Sequence, residues 1–158
     1  MSKCDTAQIC KNGHVATSYY NHYPEEREKY CAECSAETIT NCPKCNSFIK
    51  GSDLEYGYLT TYSAPAYCIY CGSPFPWTEA ALESAKELLI LENILSQEEL
   101  DYFNENMTSI LIDTPKTNIV ATKLKIFMNK AGNVVASSLR DLVVDIGSET
   151  AKKIILGE

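Results

Sequence analysis

Residues 31–45 read CAECSAETITNCPKC and contain two Cys-x-x-Cys pairs. One further pair lies on each side, a Cys-x-x-x-His before this stretch and a Cys-x-x-Cys after it. Two cysteines separated by two residues can direct both sulfurs at one ion, and two such turns complete the tetrahedron that structural Zn²⁺ prefers. The sequence therefore predicts two structural zinc ions per chain, with the ligands Cys10, His14, Cys31, Cys34, Cys42, Cys45, Cys68 and Cys71.

The residues around these pairs favour tight metal-binding turns. Asn46 directly follows the third pair and Gly72 follows the fourth, and both residue types tolerate the positive φ that such a turn often needs. Asn12-Gly13 lies inside the first pair and lets the backbone wrap so that the histidine can reach the ion. Pro43 pre-sets the turn of the third pair.

Which pairs share an ion decides the fold of the first half. Sequential pairing, first with second and third with fourth, gives two zinc ribbons in tandem, whereas cross-braced pairing gives a RING-like unit. Residues 15–30 and 46–67 are each long enough for a β-hairpin and 35–41 is a short connector, so tandem ribbons are favoured. His22 is an alternative nitrogen ligand, but it lies in a tyrosine-rich segment without a nearby cysteine and is interpreted as a surface histidine.

The alternative explanation for paired cysteines is a disulfide framework, which belongs to oxidising compartments. Residues 1–6 lack the apolar core of a signal peptide, and charged residues interrupt every later apolar run well short of a membrane span. A Cys-x-x-Cys redox motif would need a βαβ setting, which the sequence does not provide. We therefore expect a cytoplasmic protein without a membrane span, with reduced thiols available for metal.

The character of the chain changes at Pro74-Phe75-Pro76-Trp77. All the candidate ligands precede this point, and the sequence after it is rich in Leu, Ile, Val, Glu and Lys at helical spacing. We predict an α+β protein with a double zinc-ribbon domain at 1–77 and an all-α domain of about four helices at 78–158. The first domain is too small to build a large core, so zinc should supply much of its folding free energy.

The first two predicted helices have recognisable starts. Thr78 is a candidate N-cap for the first, whose apolar stripe extends from Leu82 to Leu95. Ser96 and Glu99 form a capping box at the start of the second, because each side chain can accept from the other's backbone N–H.

The last two predicted helices are punctuated by proline and glycine. Thr114-Pro115 begins the third, since proline is favoured at the first helical position, and Gly132-Asn133 ends it. The fourth runs from about 134 to 156, with Gly147 as a weak point in its middle. Residues 78–113 carry nine acidic side chains against one basic, and 114–158 carry seven basic against four acidic. This difference favours packing of the two regions against each other or between copies of the chain.

Nucleic-acid binding is the main alternative function for an aromatic-rich zinc ribbon. Nine of the ten tyrosines precede residue 77 and could stack on unpaired bases, although hairpin packing explains them more simply. The formal net charge is −7, and thiolate ligands in excess of the zinc charge make it more negative. Affinity for nucleic acid rests on Lys and Arg, and only Lys44 and Lys50 suggest a small basic patch. The charge therefore disfavours this function.

An enzyme is not expected. Catalytic zinc keeps one coordination position open, whereas both predicted ligand sets close at four. The sequence contains neither a His-Glu-x-x-His motif nor a glycine-rich phosphate loop. The remaining expectation is a protein-interaction or scaffold role, with the ribbons as a rigid platform and the helical region binding an unknown partner or a second copy of the chain.

Three segments carry a resemblance to a known family: 6–15 (TAQICKNGHV), 67–80 (YCIYCGSPFPWTEA) and 147–154 (GSETAKKI). Together with the paired cysteines, they resemble a bacterial family classed as a domain of unknown function. The resemblance spans nearly the whole chain. It implies a zinc-ribbon N-terminus, a helical C-terminal region and a bacterial cytosolic setting, and it carries no known activity.

Overall fold

The computed structural model describes residues 3–158. Residues 1 and 2, on which part of the expectation about the N-terminus rests, lie outside the described residues. The first half contains short antiparallel strands and the second half contains helices, so the predicted α+β class is confirmed. The chain divides into two compact units, Met1–Ala80 and Ala81–Glu158, which are described separately below.

The strands of the first unit are very short, as expected where metal ligands and turns take up much of the sequence. They form one two-stranded antiparallel sheet, β1 with β5, and one three-stranded antiparallel sheet in the order β3-β2-β4. Within residues 3–158 the strands are β1 Cys4–Thr6, β2 Gln8–Cys10, β3 Val15–Thr17, β4 Thr38–Ile39 and β5 Lys50–Asp53. Single turns of 3₁₀-helix occur at Pro24–Glu26 and Gly57–Leu59.

The core of the first unit is small and includes two of the predicted metal ligands. Its buried members are Ala7, Ile9, Cys42, Ile49, Cys68 and Phe75. The indole of Trp77 stacks on Phe75 with ring centroids 4.8 Å apart, and its Nε1–H donates to the carbonyl oxygen of Pro65 at 2.9 Å. Because so few apolar side chains are buried, this core needs additional stabilisation.

Asp5 is the buried carboxylate that fixes the loop after β3. Its carboxylate oxygens accept backbone N–H groups from Thr6, Asn21 and His22 at 2.6 to 3.1 Å. Burial raises the pKa of Asp5, but these donors outweigh burial and hold the pKa below its usual value. The ionised side chain therefore holds residues 21 and 22 against β1.

The helical region differs from the prediction in its number of helices. The structure has α1 Pro76–Ile90, α2 Gln97–Asn106, α3 Thr117–Lys130, α4 Asn133–Ile146 and α5 Glu149–Leu156, with a 3₁₀ turn at Met107–Ile110. The single helix predicted over about 134–156 is wrong. The chain ends α4 at Gly147, and the hydroxyl of Ser148 accepts from the N–H of Ala151 to cap α5.

Two further helix predictions need correction. Helix α1 already begins at Pro76, and Thr78 is not its cap, because its buried hydroxyl donates to the carbonyl oxygen of Ala66 at 2.9 Å. The apolar stripe does not continue as helix to Leu95, because α1 ends at Ile90 and Asn93 has a positive φ of 51°. One half of the predicted capping box of α2 is confirmed, since the Ser96 hydroxyl accepts from the N–H of Glu99 at 3.2 Å. The Glu99 carboxylate accepts from the Ser96 hydroxyl at 3.3 Å instead of from the predicted backbone N–H.

Helix α3 also begins and ends differently from the prediction. It starts at Thr117 rather than at the Thr114-Pro115 turn, and it ends at Lys130 rather than at Gly132. The buried hydroxyl of Thr117 accepts from the N–H of Thr114 at 2.8 Å and lies 2.8 Å from the carbonyl oxygens of Ser109 and Ile112. This side chain fixes the connection between α2 and α3.

The second unit has the larger apolar core, and α3 contributes three of its fully buried side chains, Val120, Ala121 and Leu124. At the start of α4, the N–H of Gly132 donates to both carboxylate oxygens of Glu92 at 2.8 Å. An anion at this position also interacts favourably with the helix dipole. Within the described residues, we find no helix with the length and apolar character needed to cross a membrane.

Candidate metal centres

The structure brings the eight predicted ligands together in two groups of four. Site 1 consists of Cys10, His14, Cys31 and Cys34, and site 2 consists of Cys42, Cys45, Cys68 and Cys71. In each group the potential ligand atoms all lie within 4.8 Å of one another. The grouping is therefore sequential, which fits tandem ribbons and not a cross-braced unit. His22 lies outside both groups, and its exposed ring packs edge-on against Tyr23.

The three Cys-x-x-Cys turns have the same backbone structure. In each, the N–H of the residue after the second cysteine donates to the carbonyl oxygen of the first cysteine at 2.8 to 2.9 Å. The residues in this position have positive φ values: Ser35 at 59°, Asn46 at 61° and Gly72 at 74°. The sequence identified Asn46 and Gly72 for this conformation but missed Ser35, which lacks the usual signature of glycine or asparagine.

The first turn uses a glycine to bring the histidine to its site. The N–H of Gly13 donates to the carbonyl oxygen of Cys10 at 2.9 Å, and Gly13 has a φ of 93°. A β-carbon on Gly13 would lie 3.1 Å from the Cβ of Trp77. Glycine therefore serves both the backbone conformation and the close packing against the indole.

The distances between ligand atoms match a four-coordinate zinc site. A tetrahedron with Zn–S bonds of about 2.3 Å has S···S edges of about 3.8 Å, and a Zn–N bond of about 2.0–2.1 Å gives S···N edges of about 3.5 Å. In site 1, Cys10 Sγ lies 3.7 Å from Cys34 Sγ and 3.5 Å from His14 Nδ1. In site 2, the S···S distances are 3.7 Å between Cys45 and Cys68 and 3.8 Å between Cys42 and Cys71. These separations far exceed the roughly 2.05 Å of a disulfide bond.

The second cysteine of each Cys-x-x-Cys turn is favoured as a thiolate. The N–H of Ala36 and the side-chain amide of Asn12 lower the pKa of Cys34 to about 6. The hydroxyl and N–H of Ser73 lower the pKa of Cys71 to about 6, and Ser47 acts in the same way on Cys45. Since metal ligands must be deprotonated, these donors favour metal binding near neutral pH.

These donors are functional residues that the sequence reasoning missed. Asn12 was identified only as a turn residue, whereas its side-chain N–H donates to Cys34 Sγ at 3.3 Å. A usable signal existed in the third and fourth pairs, because in each a serine stands two residues after the second cysteine. By contrast, burial raises the pKa of Cys10 and Cys68, the first cysteines of their turns.

The two sites differ in how their ligands face solvent. Site 2 has two buried ligands, Cys42 and Cys68, and two exposed ones, Cys45 and Cys71. Its inner sulfurs belong to the core of the first unit and its outer sulfurs lie at the surface. Four protein ligands at tetrahedral spacing are the arrangement typical of structural zinc sites.

Comparisons with known proteins identify a family but no characterised relative. Searches of curated proteins and of solved structures found no match to the chain. A family model described as "Uncharacterized protein conserved in bacteria (DUF2321)" matches residues 3–155. This range includes both four-ligand sites, helices α1 to α4 and all of α5 except its last residue, Leu156. The chain therefore belongs to this bacterial family.

Proposed function

We propose that the protein binds two structural zinc ions and acts as a non-catalytic protein-interaction module in the bacterial cytoplasm. The zinc assignment is supported by the tetrahedral spacing of both ligand groups and by their content of seven thiolates and one imidazole. A reducing compartment keeps such thiols available for metal. Both groups close at four protein ligands, which is the reason for proposing a structural and not a catalytic role.

The observation that carries the interaction role is an exposed apolar loop at Leu54–Leu59. Four of its six residues are large apolar or aromatic side chains, and Tyr58 is 77% exposed and Leu59 69% exposed. Exposed apolar side chains that cluster on a protein surface mark sites of contact with a partner. Tyrosine and leucine in this setting supply contact area without adding charge.

Hydrogen bonds to its backbone N–H groups hold this apolar loop in place. The carboxylate of Asp53 accepts the N–H groups of Glu55 and Tyr56 at 2.8 and 2.9 Å, and the N–H of Leu54 donates to the carbonyl oxygen of Lys3. Gly57 is buried, and a β-carbon there would collide with the hydroxyl of Tyr19. A loop that is ordered before binding loses less conformational entropy when a partner contacts it.

Affinity purification of the tagged holo-protein, with mass spectrometry and nucleic-acid staining of the eluate, tests this proposal. We expect a defined protein partner that is captured by the wild type and lost with the double variant Tyr58→Ser/Leu59→Ser. Tyr30→Ser removes an exposed tyrosine outside the loop and serves as the matched control. Capture that survives the double variant, or recovery of nucleic acid alone, would contradict the assignment of the loop.

Nucleic-acid binding is the second candidate, favoured by one local observation. Lys29 Nζ lies 5.7 Å from the ring centroid of the exposed Tyr30. A nucleotide base could therefore stack on Tyr30 while its phosphate contacts Lys29. Lys44 and Lys50 are also exposed. Binding of this kind should weaken steeply with salt, and replacing Lys44 and Lys50 by glutamine should reduce the salt slope. We expect no such binding at physiological salt.

A further inference from the structure

Two surfaces of the second unit are complementary in charge, and each also exposes apolar side chains. The first, called the acidic face, lies on α1 and consists of Glu83, Glu87, Ile90 and the following Leu91. Its apolar members are 56% exposed at Ile90 and 67% exposed at Leu91. Glu83 pairs with Lys86 of the same helix at 3.6 Å and remains largely exposed. Glu87 takes part in none of the ion pairs among the described residues, so its charge is available to a partner.

The second surface, called the basic groove, lies between α2 and α3. It has a volume of about 190 Å³ and an apolar lining that includes Ile94, Phe103 and Ile126. Its charged lining residues are Lys123, Lys130 and Glu99, so the lining has one more positive than negative charge. Neither lysine joins an ion pair within residues 3–158. Lys123 is held with its Nζ 4.0 Å from the ring centroid of Tyr102, which fixes one positive charge beside the apolar lining.

We propose that a second copy of this chain binds the basic groove through its acidic face. In such a contact Ile90 and Leu91 of one copy enter the apolar groove of the other. Glu83 and Glu87 then approach Lys123 and Lys130. Each copy thereby buries exposed apolar side chains and pairs carboxylates with ammonium groups.

The charge distribution of the chain supports a second copy as the occupant. Residues 78–113 carry nine acidic side chains and one basic, whereas 114–158 carry seven basic and four acidic, so one chain supplies both surfaces. The two surfaces are also neighbours, because Leu91 of the acidic face is three residues from Ile94 of the groove. The interface of a two-fold dimer uses the same surface patch of both copies, so the acidic face and the basic groove must lie within one patch.

Charge reversal tests this interface, and sedimentation velocity over a range of protein concentrations measures it. The groove variant Lys123→Glu/Lys130→Glu should raise the dimer dissociation constant at least roughly tenfold, because like charges then face each other. The face variant Glu83→Lys/Glu87→Lys should do the same. Mixing the two variants should restore association as a one-to-one heterodimer, since each variant then offers the complement of the other.

The control is Arg140→Glu/Lys153→Glu, which makes the same change in net charge on exposed residues of α4 and α5 and should leave association unchanged. Helix content measured by circular dichroism must be the same in every variant. If the groove variant fails to fold, Lys123→Gln/Lys130→Gln replaces it, and we expect a smaller rise in the dimer dissociation constant. A wild type that stays monomeric at all concentrations, or reversal variants that do not recombine, would overturn the proposal. Neither outcome bears on the apolar loop, which is tested separately by partner capture.

Discussion

Substitution of Cys42 by serine tests how far the first unit depends on metal. Cys42 is 2% exposed and belongs both to site 2 and to the small core beside Ile49 and Phe75. Structural zinc contributes about 10 kcal/mol or more in small metal-folded peptides, and a whole domain is usually stable by only about 5–15 kcal/mol. Full burial of one Ile or Phe supplies about 1.5–3 kcal/mol, so the few buried side chains here cannot replace the ion. We expect Cys42→Ser to unfold the first unit.

Three measurements follow this variant. Elemental analysis should show that the wild type contains about two zinc ions per chain and that the variant has lost the ion of site 2. The single tryptophan reports on the first unit, because Trp77 stacks on Phe75, and its emission should shift to the red. Far-ultraviolet circular dichroism should retain most of the helical signal. Cys4→Ser is the matched control, since Cys4 lies outside both sites, and it should leave zinc content unchanged.

Two results would refute this reasoning. Retention of both zinc ions and of native tryptophan emission in Cys42→Ser would mean that site 2 does not hold the first unit together. Loss of the helical signal together with the tryptophan signal would mean that the chain folds as one unit, and the predicted domain boundary at residue 77 would be wrong. A wild-type zinc content near one would instead identify site 1, with its histidine ligand, as the site that does not bind.

Three other predictions concern single residues. Thr117→Val should cost about 1–3 kcal/mol in urea denaturation, because buried hydrogen bonds are lost, whereas the exposed Thr122→Val should be nearly neutral. The hydroxyls of Ser148 and Thr150 lower the pKa of Asp113, so the ionised carboxylate stabilises the fold fully above about pH 4, and this stabilisation is lost as the pH falls through the lowered pKa. Asp113→Asn should flatten this acid dependence of the helical circular dichroism signal. An unchanged pH profile would contradict the prediction. Gly13→Ala should cost about 1–3 kcal/mol and weaken zinc retention at site 1 against a chelator, because it adds a steric contact to the backbone strain.

The two four-residue groups were predictable because their geometry is local. The spacing of the paired residues identified the eight candidate ligands, and the lengths of the intervening segments favoured the sequential pairs that the structure groups together. Ser35 was missed because a serine at positive φ has no distinctive sequence signature, and the turn around it tolerates the residue. The backbone N–H of Ala36, which acts on Cys34, was missed for a different reason, since a backbone donor leaves no trace in residue type. Ser47 and Ser73 do leave one, the serine two residues after the last cysteine of the pair.

The helix ends were less predictable because other interactions override local preference. Thr78 has the residue type of an N-cap, but it lies inside α1, and its hydroxyl donates to the carbonyl oxygen of Ala66. The apolar periodicity of α4 continues into α5 and concealed the break at Gly147, where Ser148 starts a new helix. The N–H of Ser148 donates to the carbonyl oxygen of Ile110, a contact distant in sequence that no periodicity argument contains. The tyrosines of the first half are predicted to pack on hairpins, but the side chains of Tyr56 and Tyr58 are exposed.

Strand β4 has a consequence for the order in which metal enters the protein. It pairs with β2 through Ile9 and Ile39 and through Cys10 and Thr38, and it leads directly into the turn that carries Cys42. An ion in site 1 therefore orders the same strand from which site 2 begins, and the second ion meets a chain whose conformational entropy has already been reduced. Binding of the two zinc ions should consequently be positively cooperative. Native mass spectrometry at half-saturating zinc should then find mainly empty and doubly loaded chains, with few singly loaded ones.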